Sequence, residues 1–285
     1  INAEHLERFL PDFEHLGNKV KTISLPTGVT LEYMEHGDPK GVPVIFLHGI
    51  TDSWRSFEMI LPLLPESIHA FSISQRGHGN SSRPLHGYVP FDFANDVAAF
   101  IRQLNLGPSI IVGHSMGGIV AERFALSFPE LLKGLILADA SPSFINNPIV
   151  LELRNMVYEL KGSVAREFIE EFQRSTITQP VSQSFFETAV NESVKLPLYV
   201  WQEAFGGLVE VNYSDQLHRI NKPTLIMWGD RDEICVEEDQ NIIKRKIKSS
   251  KLIKYKGTGH AIHWEQPERF AKDISDFILR ISKNK

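Results

Sequence analysis

Residues 109–118 read Ser-Ile-Ile-Val-Gly-His-Ser-Met-Gly-Gly, and this stretch decides the fold. It joins a predicted strand to a predicted helix. Gly113 and Gly117 stand two positions on either side of Ser115, which leaves room for a sharp turn between the two elements. Such a turn holds a serine hydroxyl clear of the sheet, at a helix N-terminus where free N–H groups stabilise negative charge. We interpret Ser115 as a nucleophile; the alternative is a surface serine in a tight turn.

Short apolar runs recur on both sides of this turn, and polar or glycine residues follow most of them. Helical patterns separate most of the runs, as in a parallel sheet that is covered by helices. The sequence therefore predicts an α/β fold with a mostly parallel sheet, opened by a β-hairpin over 19–25 and 29–34. The predicted buried strands are residues 44–47, 70–74, 109–112, 135–138, 224–228 and 251–255, and the clearest predicted helices are 91–104 and 265–281.

A serine hydroxyl becomes a good nucleophile only when a base takes its proton, and histidine is the usual base. The chain has 11 histidines, so most of them must have other roles. His260 stands out because it lies in a glycine-rich loop after the last predicted strand, and His263 is its nearest rival. Parallel strands end at the same edge of a sheet. We therefore expect Ser115 and His260 to meet in space.

An acid is expected to orient the imidazole of this histidine. Asp232 ends the turn Gly-Asp-Arg-Asp at 229–232, directly after a predicted strand. Asp230 lies two residues before it, and Asp139 ends the preceding strand, where a carboxylate could also reach the histidine. The chain order serine, aspartate, histidine favours Asp232.

Two backbone N–H groups are expected to form an oxyanion hole. One belongs to Met116, the residue after the proposed nucleophile. The second comes from the loop after His48-Gly49, where Ile50 is the favoured donor.

Residues 142–221 interrupt the alternation of strands and helices. The interval has helix-like spacing over 151–160 and 164–172, whereas Pro180, Pro197 and Gly206-Gly207 punctuate the rest. We predict a core of residues 1–141 and 222–285 and a helical lid of residues 142–221 over the strand ends. The interval is aromatic, and some of its aromatic residues are expected to line an apolar pocket: Phe144, Phe168, Phe172, Phe185, Phe186, Trp201 and Phe205.

Composition excludes several classes of partner. A formal net charge of −5 argues against a polyanionic partner such as nucleic acid, and the basic run 244–251 is interpreted as a solvated helix end. No apolar run is long enough to span a membrane. No cluster has metal-ligand spacing and no dinucleotide fingerprint is present, so we expect neither a metal nor a cofactor. The single cysteine, Cys235, and the polar residues 2–5, which do not form a signal peptide, lead us to expect a cytoplasmic protein.

Five motifs together resemble the α/β-hydrolase superfamily, of the esterase, lactonase and non-haem haloperoxidase-like kind. The resemblance covers residues 22–281 and is weakest over the predicted lid. It implies the α/β-hydrolase fold and a cofactor-free serine hydrolase that cleaves a small-molecule carboxylic ester or lactone through an acyl-enzyme. The motifs are Phe-Leu-His-Gly at 46–49, Arg-Gly-His-Gly-Asn-Ser at 76–81, Gly-His-Ser-Met-Gly-Gly at 113–118, Trp-Gly-Asp-Arg-Asp at 228–232 and Gly-His at 259–260.

Two other functions stay open. Hydrolases of C–C bonds resemble this chain in layout, but their tryptophan directly follows the catalytic histidine, whereas here Ala261 does and Trp264 comes later. Such an enzyme needs a cationic group in the lid to hold a carboxylate, for which Arg154, Arg166 and Arg174 are candidates. The second alternative is a ligand-binding receptor that retains the fold, because a fold does not fix a function.

Overall fold

The computed structural model describes residues 20–283. Residues 1–19 and 284–285 lie outside it, and with them the polar stretch 2–5 and Lys19, where the predicted hairpin begins. Within the described range, eight strands form one sheet in the order β1-β2-β4-β3-β5-β6-β7-β8. The strands are β1 Lys21–Ser24, β2 Thr30–His36, β3 Val42–Leu47, β4 Ile68–Ser74, β5 Ser109–His114, β6 Leu132–Ala138, β7 Thr224–Gly229 and β8 Ser250–Tyr255.

The first two strands form the predicted hairpin, and β2 joins the sheet antiparallel to β4. Every pair from β4 through β8 is parallel. The predicted α/β fold with a mostly parallel sheet is therefore confirmed. Its helices are α1 Pro90–Gln103, α2 Met116–Ser127, α3 Pro148–Glu159, α4 Arg166–Ser175, α5 Gln183–Val194, α6 Leu198–Leu208, α7 Glu237–Lys246, α8 Ile262–Glu265 and α9 Pro267–Lys283.

The strands are apolar on both faces because helices cover both faces of the sheet. Neighbouring residues of β5 illustrate this: Ile111 packs in one core cluster with Phe93 of α1 and Phe124 of α2. Val112 faces the opposite side and belongs to a second cluster with Phe270 of α9. Side chains alternate between the faces of a strand, so a continuous apolar run is what two cores require.

The register of the parallel strands brings their carboxyl ends to one edge. Gly113 at the end of β5 is paired with Leu47 at the end of β3, and His114 is paired with Ala138 at the end of β6. Across β7 and β8, Gly229 is paired with Tyr255. The loops that carry the candidate site residues therefore leave the sheet at the same level.

The interval between β6 and β7 carries four helices, α3 to α6. The first two match the predicted stretches 151–160 and 164–172. An isolated bridge between Ser143 and Asn212 ties the two ends of the interval together. The division into core and lid remains a prediction.

The interpretation of Gly206-Gly207 as a break is wrong, because both residues lie inside α6. A Cβ on Gly207 would lie 2.1 Å from the backbone oxygen of Tyr88, and one on Gly206 would lie 2.6 Å from the Tyr158 hydroxyl. The two glycines thus permit close packing of the last turn of α6, which ends at Leu208.

The predicted C-terminal helix 265–281 corresponds to α9, which begins two residues later than predicted. The short helix α8 ends at Glu265, and α9 begins at Pro267, a residue that suits the first helical position. Over residues 20–283, no helix combines the length and the apolar character that crossing a membrane requires.

Candidate active site

Ser115 occupies a strained turn between β5 and α2. Its backbone has φ 53° and ψ −116°, a conformation that residues with a side chain rarely adopt. The turn is held by hydrogen bonds: Ser115 N–H donates to the Ala138 carbonyl at 3.2 Å, and Gly118 N–H donates to the Ser115 carbonyl at 2.8 Å. A strained residue that the surrounding structure holds in place is common at functional sites.

The glycines of the motif are required by the space around them. A Cβ on Gly117 would lie 2.1 Å from the Leu47 carbonyl oxygen, and one on Gly113 would lie 2.1 Å from the Gly117 carbonyl oxygen. Both are contacts with backbone, which cannot move aside as a flexible side chain can. The pattern that the sequence offered is therefore explained by close approach of β3, β5 and α2 around Ser115.

Three predicted site residues form one chain of hydrogen bonds. Ser115 Oγ lies 2.8 Å from His260 Nε2, and His260 Nδ1 lies 2.8 Å from Asp232 Oδ2. All three residues are buried. An ionised carboxylate can only accept, so Nδ1 carries the proton and Nε2 is left to accept from the serine hydroxyl. This is the tautomer that a general base needs.

Asp232 is itself fixed by the backbone beyond it. Its Oδ1 accepts hydrogen bonds from the N–H groups of Ile234 at 2.8 Å and Cys235 at 3.0 Å. The second oxygen is thereby aimed at the histidine. Cys235 is buried, and burial raises the pKa of its thiol well above the ordinary value. It is a packed residue behind Asp232.

The alternative acids lie nearby but are bonded elsewhere. Asp139 accepts from Gly229 N–H at 2.8 Å and from Ile262 N–H at 3.3 Å, and burial, with the nearby charge of Asp232, raises its pKa well above the ordinary value. Asp230 accepts from Gly257 N–H at 2.6 Å. Both carboxyl groups hold loops of the site together.

His263, the alternative to His260 as the base, is also bonded elsewhere. His263 Nε2 lies 3.0 Å from Ser56 Oγ, and burial lowers the pKa of the His263 ring well below its ordinary value. His114, the residue before Ser115, contacts the His260 carbonyl oxygen through Nε2 at 2.7 Å, and burial lowers its pKa to about 3. These rings are neutral and brace the loop that carries His260.

The predicted oxyanion donors have free N–H groups. Met116 is the first residue of α2, so its N–H has no intrahelical acceptor. The Ile50 N–H has no protein acceptor among residues 20–283. Ile50 and Gly49 line the same cavity as Ser115. Both N–H groups are therefore available to a ligand.

Ser115 and His260 lie on the wall of one cavity. Three of the seven aromatic residues singled out in the sequence line it: Phe144, Phe172 and Phe205. Phe168 instead packs edge-on against Trp201, and Phe185 packs edge-on against Trp264. None of the three lid arginines considered as carboxylate binders lines this cavity: Arg154 and Arg174 lie over the rings of Tyr158 and Phe186, and Arg166 pairs with Glu170.

The polar part of the cavity wall was missed by reasoning from the sequence. It includes Asp52, Gln173 and Thr176. The Gln173 amide donates to Asp52 Oδ1 at 3.0 Å, and burial raises the pKa of Asp52 to about 7. Asp52 follows the strand-end motif His48-Gly49 by three residues, so its position was a usable signal. From the sequence, that loop was expected to contribute only a backbone N–H group.

A wider cleft of about 1170 Å³ adjoins the cavity at His260 and Ile234. Its wall includes the polar residues Asp230, Arg231 and Glu233. The histidine therefore faces an apolar chamber on one side and a polar, more open space on the other.

One group of potential metal ligands lies within the described residues: Asp232, Cys235 and His260, whose ligand atoms lie within 4.8 Å of one another. The arrangement fits a metal poorly. Asp232 Oδ2 and His260 Nδ1 are hydrogen-bonded to each other, so they would have to give up that bond to face a metal ion.

Comparison with known proteins identifies the family of the chain. A family model described as alpha/beta hydrolase fold matches residues 42–267. The AB hydrolase superfamily protein YisY of Bacillus subtilis is 29% identical over 276 residues, covering 92% of this chain and 99% of that protein. Lipase 3 of Moraxella sp. is 24% identical and covers 91% of this chain and 84% of that protein.

Among solved structures, an esterase from Exiguobacterium antarcticum superimposes with a TM-score of 0.82 at 24% sequence identity, covering 92% of this chain and all of that one (100%). At this identity the structural similarity shows the fold alone. The family match, in contrast, covers most of the chain. The protein therefore belongs to the α/β-hydrolase family, as a hydrolase with esterase and lipase neighbours.

Proposed function

We propose that this protein is a serine hydrolase that cleaves a carboxylic ester or a lactone. The observation that carries the proposal is the chain of two 2.8 Å hydrogen bonds from Ser115 through His260 to Asp232. Its outer end, Ser115, lies on the wall of a largely apolar cavity. A nucleophile, a base and an orienting acid in hydrogen-bond contact are the parts that acyl transfer requires.

In the proposed reaction, Ser115 Oγ attacks the carbonyl carbon while His260 Nε2 takes the hydroxyl proton. Asp232 stabilises the resulting imidazolium. The tetrahedral intermediate collapses when His260 returns the proton to the leaving alcohol oxygen. Water then attacks the acyl-enzyme while His260 takes one of its protons and a second tetrahedral intermediate forms. That intermediate collapses as His260 returns the proton to Ser115 Oγ, the bond from Ser115 Oγ to the acyl carbon breaks and the carboxylic acid is released.

The N–H groups of Ile50 and Met116 are proposed to bind the oxyanion of both intermediates. Their lack of protein acceptors supports this role, because a donor that is already paired offers little to a developing charge. Met116 adds the positive end of the α2 helix dipole.

Residues 142–221 are proposed to act as a lid over the core of residues 1–141 and 222–285. Much of the apolar wall at Ser115 comes from this interval: Phe144, Val150, Leu153, Phe172, Phe205 and Leu208. An apolar wall favours an acyl chain of moderate size and excludes water from the reacting carbonyl. The polar cleft on the other side of His260 would accept the alcohol or admit water.

The ester function is favoured over hydrolysis of a C–C bond. The C–C reaction needs a cationic group to hold a carboxylate, and the cavity wall contains Asp52 instead of a lid arginine. The similarity to Lipase 3 of Moraxella sp. also favours an ester as the substrate.

The test is turnover of a panel of esters, lactones and thioesters by the purified protein, together with labelling by a fluorophosphonate. We expect hydrolysis of a short-chain aryl ester and a covalent label on Ser115. A receptor that merely binds its ligand would turn over none of the panel, and that result would reject the proposal.

A further inference from the structure

Two side chains of the helical interval reach the loop that carries Ile50. The Gln173 amide, on α4, donates to Asp52 Oδ1 at 3.0 Å and to Ser193 Oγ at 3.0 Å. Ser193, on α5, donates to the Thr51 carbonyl oxygen at 3.1 Å and lies 3.0 Å from Thr51 Oγ1. The four side chains thus form one hydrogen-bonded group between the interval and the loop.

The loop needs such support because Thr51 is strained. Its φ is 68°, in the left-handed region that β-branched residues avoid. A residue keeps such a conformation only where the surrounding structure over-determines it. Ser193 bonds both the carbonyl and the hydroxyl of Thr51, so the constraint comes from the helical interval.

The beginning of the loop is fixed from the core instead. The Gln75 side chain donates to the His48 carbonyl oxygen at 2.9 Å, and the Gln75 N–H donates to His48 Nε2 at 3.0 Å. The Ile50 N–H therefore lies between an anchor that belongs to the core and an anchor that belongs to the interval.

The second anchor is shielded from water. Thr51 and Ser193 are 0% exposed, Gln173 is 1% exposed and Asp52 is 5% exposed. Both amide hydrogens of Gln173 are used, one on each partner. Removing that amide would leave Asp52 Oδ1 without its donor in a buried site, and Asp52 would keep only the 3.4 Å hydrogen bond from Ser56 Oγ to its other oxygen. An unpaired buried acceptor favours rearrangement of the loop.

We propose that Gln173 and Ser193 are positioning residues that hold the Ile50 N–H where the oxyanion forms. The inference rests on the proposed hydrolase function. Through Gln173 and Ser193, the helical interval contributes to the chemical step.

The test compares Gln173→Met with Gln202→Met. Both glutamines lie in the interval, but the Gln202 amide donates to the Val157 carbonyl, within the interval itself. Loss of a whole oxyanion donor costs about 10²–10³ in kcat, so a displaced donor is expected to cost about 10- to 100-fold. We expect Gln173→Met to lose kcat by that factor with little change in KM, and Gln202→Met to match the wild type.

A second readout separates positioning from direct contact with the substrate. A trifluoromethyl ketone adds to the serine and forms a tetrahedral oxyanion, so its affinity should fall by the same factor as kcat/KM. The loss should also be similar for every ester tested. Unchanged kcat, unchanged inhibitor affinity, or a change only in the ranking of esters would overturn the proposal.

Ser193→Ala provides an independent variant if Gln173→Met does not fold, with Thr188→Ala as its control. Thr188 lies on the same helix, and its hydroxyl donates to the Ser184 carbonyl. Wild-type turnover and labelling of Ser115 are measured first. If the wild type shows neither turnover nor labelling, the proposed function fails. If the wild type is active and the variants match it, only the positioning role fails.

Discussion

Asp232 and Asp139 are neighbouring buried carboxyl groups that bind different partners. Asp232 accepts from His260 Nδ1, whereas Asp139 accepts from the N–H groups of Gly229 and Ile262. Asp139 follows β6 directly, and Asp232 lies three residues beyond β7, the adjacent strand. The carboxylate beyond β7 contacts the Nδ1 side of the imidazole, whereas the carboxylate after β6 binds backbone N–H groups next to it.

Asp232→Asn is expected to lower kcat/KM by roughly 10³- to 10⁴-fold, because the imidazole loses the partner that fixes its tautomer. Asp139→Asn and Asp230→Asn are expected to retain most of the activity, since each carboxyl group serves the backbone. Steady-state kinetics on one ester, with folding checked by circular dichroism, decides the matter. An inactive, folded Asp139→Asn beside a nearly normal Asp232→Asn would assign the acid to the wrong strand.

Ser115→Ala is expected to fold and to lose activity by about 10³-fold or more, because the nucleophile is removed while the binding surface stays. A fluorophosphonate should label the wild type at Ser115 and leave the variant unlabelled, as read by mass spectrometry of peptides. Ser184→Ala, in the helical interval, is the control and should behave as the wild type. Labelling of a different serine, together with surviving activity in Ser115→Ala, would exclude the proposed mechanism.

Phe172→Leu and Phe205→Leu are expected to change the ranking of acyl chains, because both side chains line the cavity at Ser115. One altered apolar contact shifts discrimination by roughly 1–3 kcal/mol, which is 10- to 200-fold in relative kcat/KM. The measurement is a series of esters of increasing acyl length and lactones of increasing ring size. Phe168→Leu is the matched control, since Phe168 packs on Trp201 in the same interval without lining the cavity. If all three variants kept the wild-type ranking, the interval would not set specificity.

Asp52→Asn is expected to stabilise the protein at alkaline pH. Burial raises the pKa of Asp52 from 3.8 to about 7, so between these values the folded state holds a proton that the unfolded state releases. Stability from this group is therefore lost as pH rises from about 4 to about 7, and the loss is constant above that range. Asparagine cannot ionise and keeps an acceptor for Gln173.

Urea unfolding from pH 4 to pH 8 measures this effect. The free energy of unfolding of Asp52→Asn should exceed that of the wild type by roughly 2–4 kcal/mol at pH 8, and the difference should shrink toward pH 4. Asp215→Asn, at a fully exposed side chain, should show no such trend. A difference between Asp52→Asn and the wild type that does not vary with pH would contradict the assignment.

The sheet and the meeting of the three candidate site residues could be predicted because their signals are local. Each apolar run that lies between two cores is continuous, and the glycines around Ser115 are dictated by backbone atoms within a few residues or on the paired strand β3. The rule that parallel strands end at one edge then brings distant loops together. Ser115, Asp232 and His260 meet for this reason.

The contact between Asp52 and Gln173 in the polar wall of the cavity could not be predicted from local signals. Asp52 and Gln173 are 121 positions apart and meet only because α4 packs over the loop after β3. Which aromatic residues face the cavity depends on the same packing, as does the position of Gly206-Gly207 inside a helix. These contacts are set by tertiary structure, and no periodicity in the chain records them.

The order of the site along the chain bears on how the protein is made. Ser115 follows β5, but His260 follows β8, the last strand of the sheet along the chain. A nascent chain that has left the ribosome as far as β6 carries the nucleophile and neither the base nor the acid. Domains fold during synthesis from their N-terminal side. Under the proposed function, the growing polypeptide would be inactive toward esters until residue 260 has left the exit tunnel, because the proposed base is absent before then.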